Sequence, residues 1–290
     1  MSATLLCFVC NTRLDPLLKE AGVHLLCEPV GEPVDDTVDD HVTELFTIIS
    51  DAITNQPRSL QTRIGPSEIG IPCNRRIGYK LAGTPESNKR GVAFKPWIGT
   101  QAHEGMAMIM TNASLATEDA RWIVEGKVTV GEVDGVPITG SADLFDKRAG
   151  IVFDWKFTTK NKIRETYRPH GPGDQYRIQA HLYGRGFAAK GHDVKHVAII
   201  FMTRDGDFAD RYVWSEPYDE QIALDALARV DGIAAALRLM GPEKAIPALP
   251  MAESHCTFCP YFKANSTNPV VACPGIDKPT KPSPLLSLIA

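Results

Sequence analysis

Apolar residues recur at helical or strand spacing along most of the chain and predict a mixed order of elements. The helical period occurs in four stretches, at about 37–56, 97–111, 175–191 and 217–240. Alternating or continuous apolar runs occur in five stretches, at 122–130, 136–145, 151–157, 195–204 and 210–215. Helices followed by strands, and then by helix, two strands and helix, predict an α/β (α+β) domain with a mixed β-sheet flanked by helices.

The segment between the third strand and the next helix lacks this periodicity. Residues 158–174, TTKNKIRETYRPHGPGD, are polar and basic, with Gly and Pro concentrated near the end. Such a composition favours a long loop containing at most one helical turn.

Composition indicates a soluble globular protein. The chain has 290 residues, of which 43% are hydrophobic and 23% charged. No apolar run is long enough to span a membrane, and the N-terminus lacks the basic start of a signal peptide, so the expected location is cytoplasmic. A net charge of −4 gives no global sign of nucleic-acid binding. Residues 147–168 form a basic stretch within this acidic chain, which by itself is typical of a solvated surface.

Six of the seven cysteines lie towards the two ends of the chain, and Cys73 lies alone between them. In a cytoplasmic protein such cysteines indicate metal sites before disulfides. The first group consists of two short ligand pairs, Cys7 and Cys10, then His24 and Cys27, with 13 residues between the pairs. It predicts a structural zinc knuckle over residues 1–30. The alternative is a set of buried free thiols beside an incidental histidine.

A second cysteine group combines Cys73 with Cys256, Cys259 and Cys273. Thiolates bind both zinc and iron–sulfur clusters, and spacing alone does not separate the two. A metal held by all four would join the C-terminal segment to the first helical region and close a very long loop.

Charged residues interrupt two strands that are expected to pair as a hairpin. Asp143 lies in the first strand and Asp154 and Lys156 in the second, where residues two apart share a face. Trp155 then points into packing on the other face. Two carboxylates beside an ammonium suit Mg²⁺ or Mn²⁺ and phosphodiester hydrolysis. The alternative is an ordinary surface ion pair, because Asp-x-Lys is a common sequence.

The order of motifs resembles a known enzyme family. His103, Asp143, Asp-x-Lys at 154–156 and Gln-x-x-x-Tyr at 179–183 resemble the RecB-like branch of the PD-(D/E)xK nucleases. One cysteine before this block and three after it resemble the iron–sulfur members, namely the CRISPR-associated exonuclease family and AddB-type helicase-nuclease subunits. The resemblance spans roughly residues 65–275. The spacer from Cys259 to Cys273 is longer than is usual in the family, which leaves His255 as a substitute ligand.

The resemblance implies a restriction-endonuclease-like core and a role for each matched residue. His103, Asp143, Asp154 and the Trp155 carbonyl would bind Mg²⁺ or Mn²⁺, and Lys156 would be the catalytic lysine. Gln179 and Tyr183 would line the site. The second cysteine group would hold a [4Fe–4S] cluster. Basic residues expected to contact phosphates are Arg75, Arg76, Lys160, Lys162, Arg164 and Arg168.

These features divide the chain into four parts: a zinc knuckle at 1–30, a linker and helix at 31–64, a nuclease domain at 65–275 and a flexible tail at 276–290. The expected function is metal-dependent exonucleolytic cleavage of DNA, with single strands preferred because the positive charge is local rather than general. A homo-oligomer or a helicase or recombination partner is compatible with it. The alternatives are a non-catalytic DNA-binding protein scaffolded by metals and an end-trimming subunit in spacer acquisition.

Overall fold

The computed structural model describes residues 38–55, 63–88, 91–117, 120–252 and 255–276. The predicted zinc ligands and nearly all of the predicted tail, residues 277–290, lie outside these ranges. Contacts divide the chain into two units, Met1–Ala52 and Ile53–Ala290. The described part of the first unit belongs to helix α1, Val38–Thr54, whose apolar side chains Leu45 and Phe46 are exposed.

The second unit is built around one five-stranded sheet. Its strands are β1 Trp122–Val133, β2 Val136–Asp146, β3 Ile151–Thr158, β4 His196–Thr203 and β5 Tyr212–Pro217. They lie side by side in chain order. Only the β3–β4 pair is parallel, and the other three pairs are antiparallel. The predicted mixed sheet is therefore confirmed, because the helix between β3 and β4 returns the chain to run alongside β3.

Helices flank this sheet. They are α2 Pro66–Ile69, α3 Asn74–Leu81, α4 Phe94–Thr117, α5 Lys160–Lys162, α6 Arg168–His170, α7 Asp174–Ala189, α8 Glu220–Met240 and α9 Pro242–Ala248. The α/β fold class is confirmed, and its mixed, helix-flanked sheet is consistent with a restriction-endonuclease-like core. Within the described ranges, no helix combines the length and the apolar character needed to cross a bilayer.

The loop predicted for residues 158–174 is wrong for most of its length. Helix α5 is followed by one π-helical turn, Ile163–Tyr167, and then by α6. The side chain of Thr159 caps the start by accepting a hydrogen bond from the Lys162 N–H. Ile163 and Tyr167, four residues apart, are both buried. Two buried apolar side chains on one face therefore stabilise a helix that the mostly polar composition of the segment does not predict.

Small residues allow α7 to lie close to the sheet. A Cβ atom at Gly186 would lie 2.6 Å from the Val128 side chain on β1, and one at Gly184 would lie 2.6 Å from the Tyr218 ring. Such distances are sterically forbidden, so both positions require glycine. The close approach buries Phe187, which stacks on Phe145 of β2 with ring centroids 4.4 Å apart. Helix α7 is thereby fixed over the central strands.

The C-terminal segment, residues 255–276, packs on α3. The Tyr79 hydroxyl donates a hydrogen bond to the Pro269 carbonyl, and the Tyr79 ring stacks on Tyr261 at 4.9 Å. The Asn88 side chain donates to the Cys259 carbonyl at 2.9 Å. Contacts between side chains and backbone therefore bring the two distant halves of the second cysteine group together.

Candidate active site and cysteine centre

The two predicted carboxylates lie where β2 and β3 separate. Leu144 and Phe153 are the last paired residues of this ladder, and Asp143 and Asp154 come next on the two strands. The Trp155 main-chain N–H donates a 2.7 Å hydrogen bond to Asp143 Oδ2. The Asp143 side chain thus contacts the β3 backbone directly beside Asp154, and the hairpin predicted from the sequence brings both acids to one end of the sheet.

His103 extends from α4 to the same carboxylate. Its Nδ1 lies 3.1 Å from Asp143 Oδ1, and its ring packs edge-on against Phe157 with centroids 5.5 Å apart. One oxygen of Asp143 is therefore held by a helix and the other by a strand. A carboxylate restrained at both oxygens has a fixed orientation, which favours ordered ligation of a metal.

Asp154 is a buried carboxylate paired with Lys156 on the same strand face. It is 3% exposed, and its Oδ2 contacts Lys156 Nζ. Burial raises the pKa of Asp154 to about 6, Lys156 opposes this rise, and the Asp143 charge adds to it. Burial lowers the pKa of Lys156, but the carboxylates of Asp154 and Asp143 outweigh it and raise that pKa. The lysine is therefore a stable cation beside a carboxylate that is costly to ionise.

Helix α7 contributes side chains at positions 176, 179 and 183, which share one face. Gln179 and Tyr183 are both 6% exposed. The Tyr183 ring packs near Gly140 of β2, where a Cβ atom would lie 3.3 Å from it. Tyr176 lies over the site itself, with its ring centroid 4.8 Å from Lys156 Nζ. Tyr176 is the site residue that sequence analysis missed, although its spacing of three and seven residues from Gln179 and Tyr183 was an available signal.

The oxygen atoms at this site are of the kind that bind a hard divalent cation such as Mg²⁺. Asp154 Oδ2, despite its ion pair, and Gln179 Oε1 are both buried without a hydrogen bond of good geometry. A buried oxygen without such a bond is costly, and a bound cation would offset that cost. In the described ranges, no three His, Cys, Asp or Glu side chains are spaced as a ready-made metal cage. The ligand set of His103, Asp143, Asp154 and the Trp155 carbonyl therefore stays a prediction.

The predicted phosphate-binding residues after β3 lie on the exposed face of the segment from α5 to α6. Lys160 pairs with Asp210 at 2.9 Å, and Arg168 donates to the Arg211 carbonyl at 3.2 Å. Lys162 lies 5.4 Å from the Tyr167 ring centroid. Arg164 pairs with Glu165 at 2.8 Å, with both side chains exposed. All four are accessible to solvent. Burial raises the pKa of Tyr176, and the nearby Lys162 opposes part of this rise.

Two other predicted phosphate-binding residues lie on α3, beside the cysteines. Arg75 donates to the Pro247 carbonyl at 2.6 Å and to Met251 Sδ at 3.2 Å. Arg76 lines the cavity that contains the cysteines. This pair therefore lies beside the cysteines and not on the segment after β3, and Arg75 contacts α9 and the residues that follow it.

Cys73, Cys256, Cys259 and Cys273 line one cavity of about 270 Å³, open solvent included, together with Arg76, Tyr79, Phe262 and Gly275. All four cysteines are free thiols. Burial raises the pKa of the Cys259 thiol, Cys73 and Cys273 add to the rise, and Arg76 opposes it. His255, the substitute considered for Cys273, is not a lining residue. The chemistry of four convergent thiols fits a thiolate-bound metal or cluster.

An additional sulfur lies next to this cavity. Met251 Sδ is 3.6 Å from Cys273 Sγ, and the Gly275 N–H donates to the same Sγ at 3.4 Å. Hydrogen bonds to sulfur tune thiolate centres, so the surroundings of Cys273 are suited to a ligand. Sequence analysis did not predict Met251, which has no spacing signal relative to the cysteines.

Comparison with known proteins gives structural neighbours only. No protein-family model matches the chain, and no curated protein sequence does either. The fold is similar to that of SSO0001, with 18% identity, a TM-score of 0.44 and coverage of 76% of this chain and 94% of that one. It is also similar to an alkaline exonuclease (LHK-Exo) from Laribacter hongkongensis, with 11% identity, a TM-score of 0.42 and coverage of 61% and 88%, respectively. The dAMP complex of LHK-Exo gives 13% identity and a TM-score of 0.41, again with coverage of 61% and 88%.

Proposed function

We propose that this chain is a metal-dependent deoxyribonuclease that degrades DNA exonucleolytically and prefers single strands. The observation that carries the proposal is the cluster where β2 and β3 separate: Asp143 held by His103 and by the Trp155 N–H, beside the buried Asp154–Lys156 pair. An ordinary surface ion pair would not bury a carboxylate to 3% exposure. A carboxylate whose pKa burial raises beside a specific charge partner is a recurrent feature of functional sites.

Each side chain has a role in cutting a phosphodiester. Asp143 and Asp154, with His103 and the Trp155 carbonyl, are the proposed ligands of Mg²⁺ or Mn²⁺. When bound, such an ion supplies Lewis acidity that polarises the phosphate and lowers the pKa of water. Lys156 orients the attacking water and stabilises the negative charge that grows on the phosphate, because its ammonium stays protonated between two acids. Gln179 and Tyr183 contact the DNA strand near the site.

The charge distribution supports a narrow single-strand path. Lys160, Lys162, Arg164 and Arg168 are exposed on the helical segment that follows β3, whereas the chain as a whole carries a net charge of −4. Local cations with nearby aromatic rings are typical of single-strand grooves, and broad duplex binding needs a more extensive basic surface.

The cysteine centre is proposed to hold a [4Fe–4S] cluster that fastens residues 255–276 to α3. Support comes from four free thiols that line one cavity, contributed by segments more than 180 residues apart. Zinc is the alternative occupant, because thiolates bind both zinc and iron–sulfur clusters.

Three further features stay predictions from the sequence: the N-terminal zinc knuckle, a homo-oligomer, and a helicase or recombination partner. Zinc analysis of Cys7→Ser and Cys10→Ser variants tests the knuckle.

Digestion of end-labelled DNA tests the function. The substrates are linear single strands, linear duplexes and circular single strands, each with Mg²⁺, with Mn²⁺ or with chelator. We expect metal-dependent shortening of linear single strands from an end, with circles resistant. Cleavage of circular single strands would show that the protein is an endonuclease and not an exonuclease. DNA binding without any cutting would favour the non-catalytic alternative.

A further inference from the structure

Lys156 is held by an aromatic ring as well as by carboxylates. Its Nζ lies 4.8 Å from the centroid of the Tyr176 ring, while the same atom contacts Asp154 Oδ2. An ammonium over a ring face is attracted to the negative centre of that face, and the attraction is stronger where water is excluded. Only 16% of the Lys156 side chain is exposed. Its terminal atom is thus restrained from two directions.

The Tyr176 ring is in turn fixed by a neighbour. The Tyr176 ring packs against the Tyr167 ring, with centroids 6.3 Å apart and an interplanar angle of 43°, and against the Phe201 ring, also at 6.3 Å. Tyr167 stacks on Phe201 of β4 with centroids 3.9 Å apart and an interplanar angle of 17°. A nearly parallel stack on a buried central strand leaves Tyr167 little freedom, and the Tyr176 ring is restrained because it packs against both stacked rings.

The π-helical turn gives Tyr167 this position. The Arg168 N–H bonds to the Ile163 carbonyl, five residues back, so the turn contains one residue more than an α-helical turn. Without that residue, Tyr167 would rotate away from Phe201 by about a quarter turn of helix. π-helical turns are rare and frequently occur at functional sites.

We propose that Tyr176, anchored by Tyr167, is a positioning residue that holds the Lys156 ammonium for catalysis. This inference rests on the proposed function for its kinetic consequence, although the contact itself does not depend on the reaction. Asp154 alone would let the four-carbon lysine side chain pivot about the carboxylate. The ring supplies a second restraint, and it does so without a competing negative charge.

A spectroscopic test detects the contact independently of nuclease activity. The ε-methylene resonance of Lys156, assigned by its loss in Lys156→Arg, should be shifted upfield in the wild type by the ring current of Tyr176. The shift should persist in Tyr176→Phe, which keeps the ring, and disappear in Tyr176→Leu. An unshifted wild-type resonance would overturn the inference, even if the protein proved to be an active nuclease.

The kinetic test uses the same variants. Tyr176→Leu should lower kcat about tenfold with KM for DNA unchanged, whereas Tyr176→Phe, which keeps the ring, should lower kcat by less than about threefold. Tyr167→Leu removes the ring against which Tyr176 packs, so Tyr167→Leu combined with Tyr176→Leu should lower kcat little more than Tyr176→Leu alone. Equal kcat in the Leu and Phe variants, or a change confined to KM, would contradict a positioning role.

Tyr218 is the matched control. It packs on α7 against His181 and Gly184, and it does not contact Lys156 among the ring–cation pairs of the described residues. Tyr218→Leu should lower the unfolding midpoint about as much as Tyr176→Leu and leave both kcat and the Lys156 resonance unchanged. If Tyr218→Leu reduces kcat to the same extent, the effect of Tyr176 is merely one of stability. Should the wild type cut no DNA at all, the proposed function fails and the resonance alone decides the inference.

Discussion

The Trp155 main-chain N–H donates a hydrogen bond of 2.7 Å to Asp143 Oδ2 at the point where β2 and β3 part. This bond joins a side chain of one strand to the backbone of the next. It fixes Asp143 beside Asp154 even though the two residues lie beyond the last ladder pair. The proximity on which the proposed metal site depends is therefore a property of the fold itself.

Replacing Asp154 by Asn should lower nuclease activity without lowering the stability of the fold. Burial disfavours the ionised Asp154 carboxylate even beside Lys156, which is why its pKa is raised to about 6, and Asp143 still faces the lysine. A neutral amide of the same shape should therefore keep the metal-free free energy of unfolding within about 1 kcal/mol or raise it. Activity should fall by about 10³-fold. Thermal unfolding with chelator and with Mn²⁺ checks this, because Mn²⁺ should raise the midpoint of the wild type only. Stabilisation of both proteins by Mn²⁺ would contradict Asp154 as a ligand.

Replacing Lys156 by Met should remove catalysis and spare DNA binding. The change keeps the length and apolar contacts of the side chain but loses the charge proposed to stabilise the transition state, so kcat should fall by about 10²- to 10³-fold with KM nearly constant. Single-turnover cleavage and fluorescence anisotropy measure the two quantities. Lys195→Met, at an exposed lysine paired with Asp193, is the matched control and should be as active as the wild type.

Neutralising the basic segment should weaken DNA binding in a salt-dependent way. Arg164→Gln combined with Lys162→Gln removes two exposed cations, and each lost phosphate contact should lower the slope of log affinity against log salt by about 0.7 on single strands. Titration of labelled oligonucleotides at several salt concentrations measures the slope. Lys195→Gln should leave it unchanged. An unaltered slope in the double variant would mean that the strand follows another path.

Removing Cys256 should release metal and loosen the C-terminal segment. If the four thiols hold a cluster, anaerobically purified protein should be brown and contain iron, and Cys256→Ser should lose both properties. Hydrogen exchange should rise across residues 255–276, where the Cys273 N–H donates to the Tyr261 carbonyl at 2.7 Å. Met251→Leu changes a sulfur that is no proposed ligand and should retain iron. Colourless wild-type protein containing only zinc would remove the cluster from the proposal.

Asp146 should make the fold sensitive to acid. It is 1% exposed, and the Arg121 guanidinium lowers its pKa, with backbone N–H groups of Ala149 and Arg148 adding to this against the opposing effect of burial. A lowered folded-state pKa means that its contribution is present above the unfolded-state value of about 4 and is lost as the pH falls through the folded-state value. Asp146→Asn should lower the free energy of unfolding by about 2 kcal/mol at pH 7 and flatten its pH dependence below about pH 4. Denaturant unfolding at several pH values checks both.

The exposed Asp193 is the control for this change. Its side chain is 81% exposed and forms a 3.4 Å surface pair with Lys195. Asp193→Asn should shift the unfolding free energy by less than about 0.5 kcal/mol at any of these pH values. A wild-type pH dependence identical to that of Asp146→Asn would contradict the role given to the Arg121 pair.

The local pattern of apolar and polar residues predicted those strands and helices that bury one face. Strands β1 to β5 and helices α4, α7 and α8 were expected from periodicity, because an alternating or 3.6-residue pattern can bury its apolar side in only one kind of element. The segment after β3 was mispredicted because its buried face consists of two residues, Ile163 and Tyr167, among many charges. Two anchors are too few to produce a periodic signal, and they stabilise a helix only through the packing that the sheet provides.

The sequence by itself determined the order of elements and placed Asp143, Asp154 and Lys156 on neighbouring strands, since side-chain direction in a strand alternates strictly with residue number. Only the tertiary structure decided that the strands part at Asp143, that Tyr176 lies over Lys156 and that Cys73 meets Cys256, Cys259 and Cys273 in one cavity. These relationships join residues from separate elements. They depend on how closely helices and sheet pack, which is a matter of side-chain shape in three dimensions rather than of spacing along the chain.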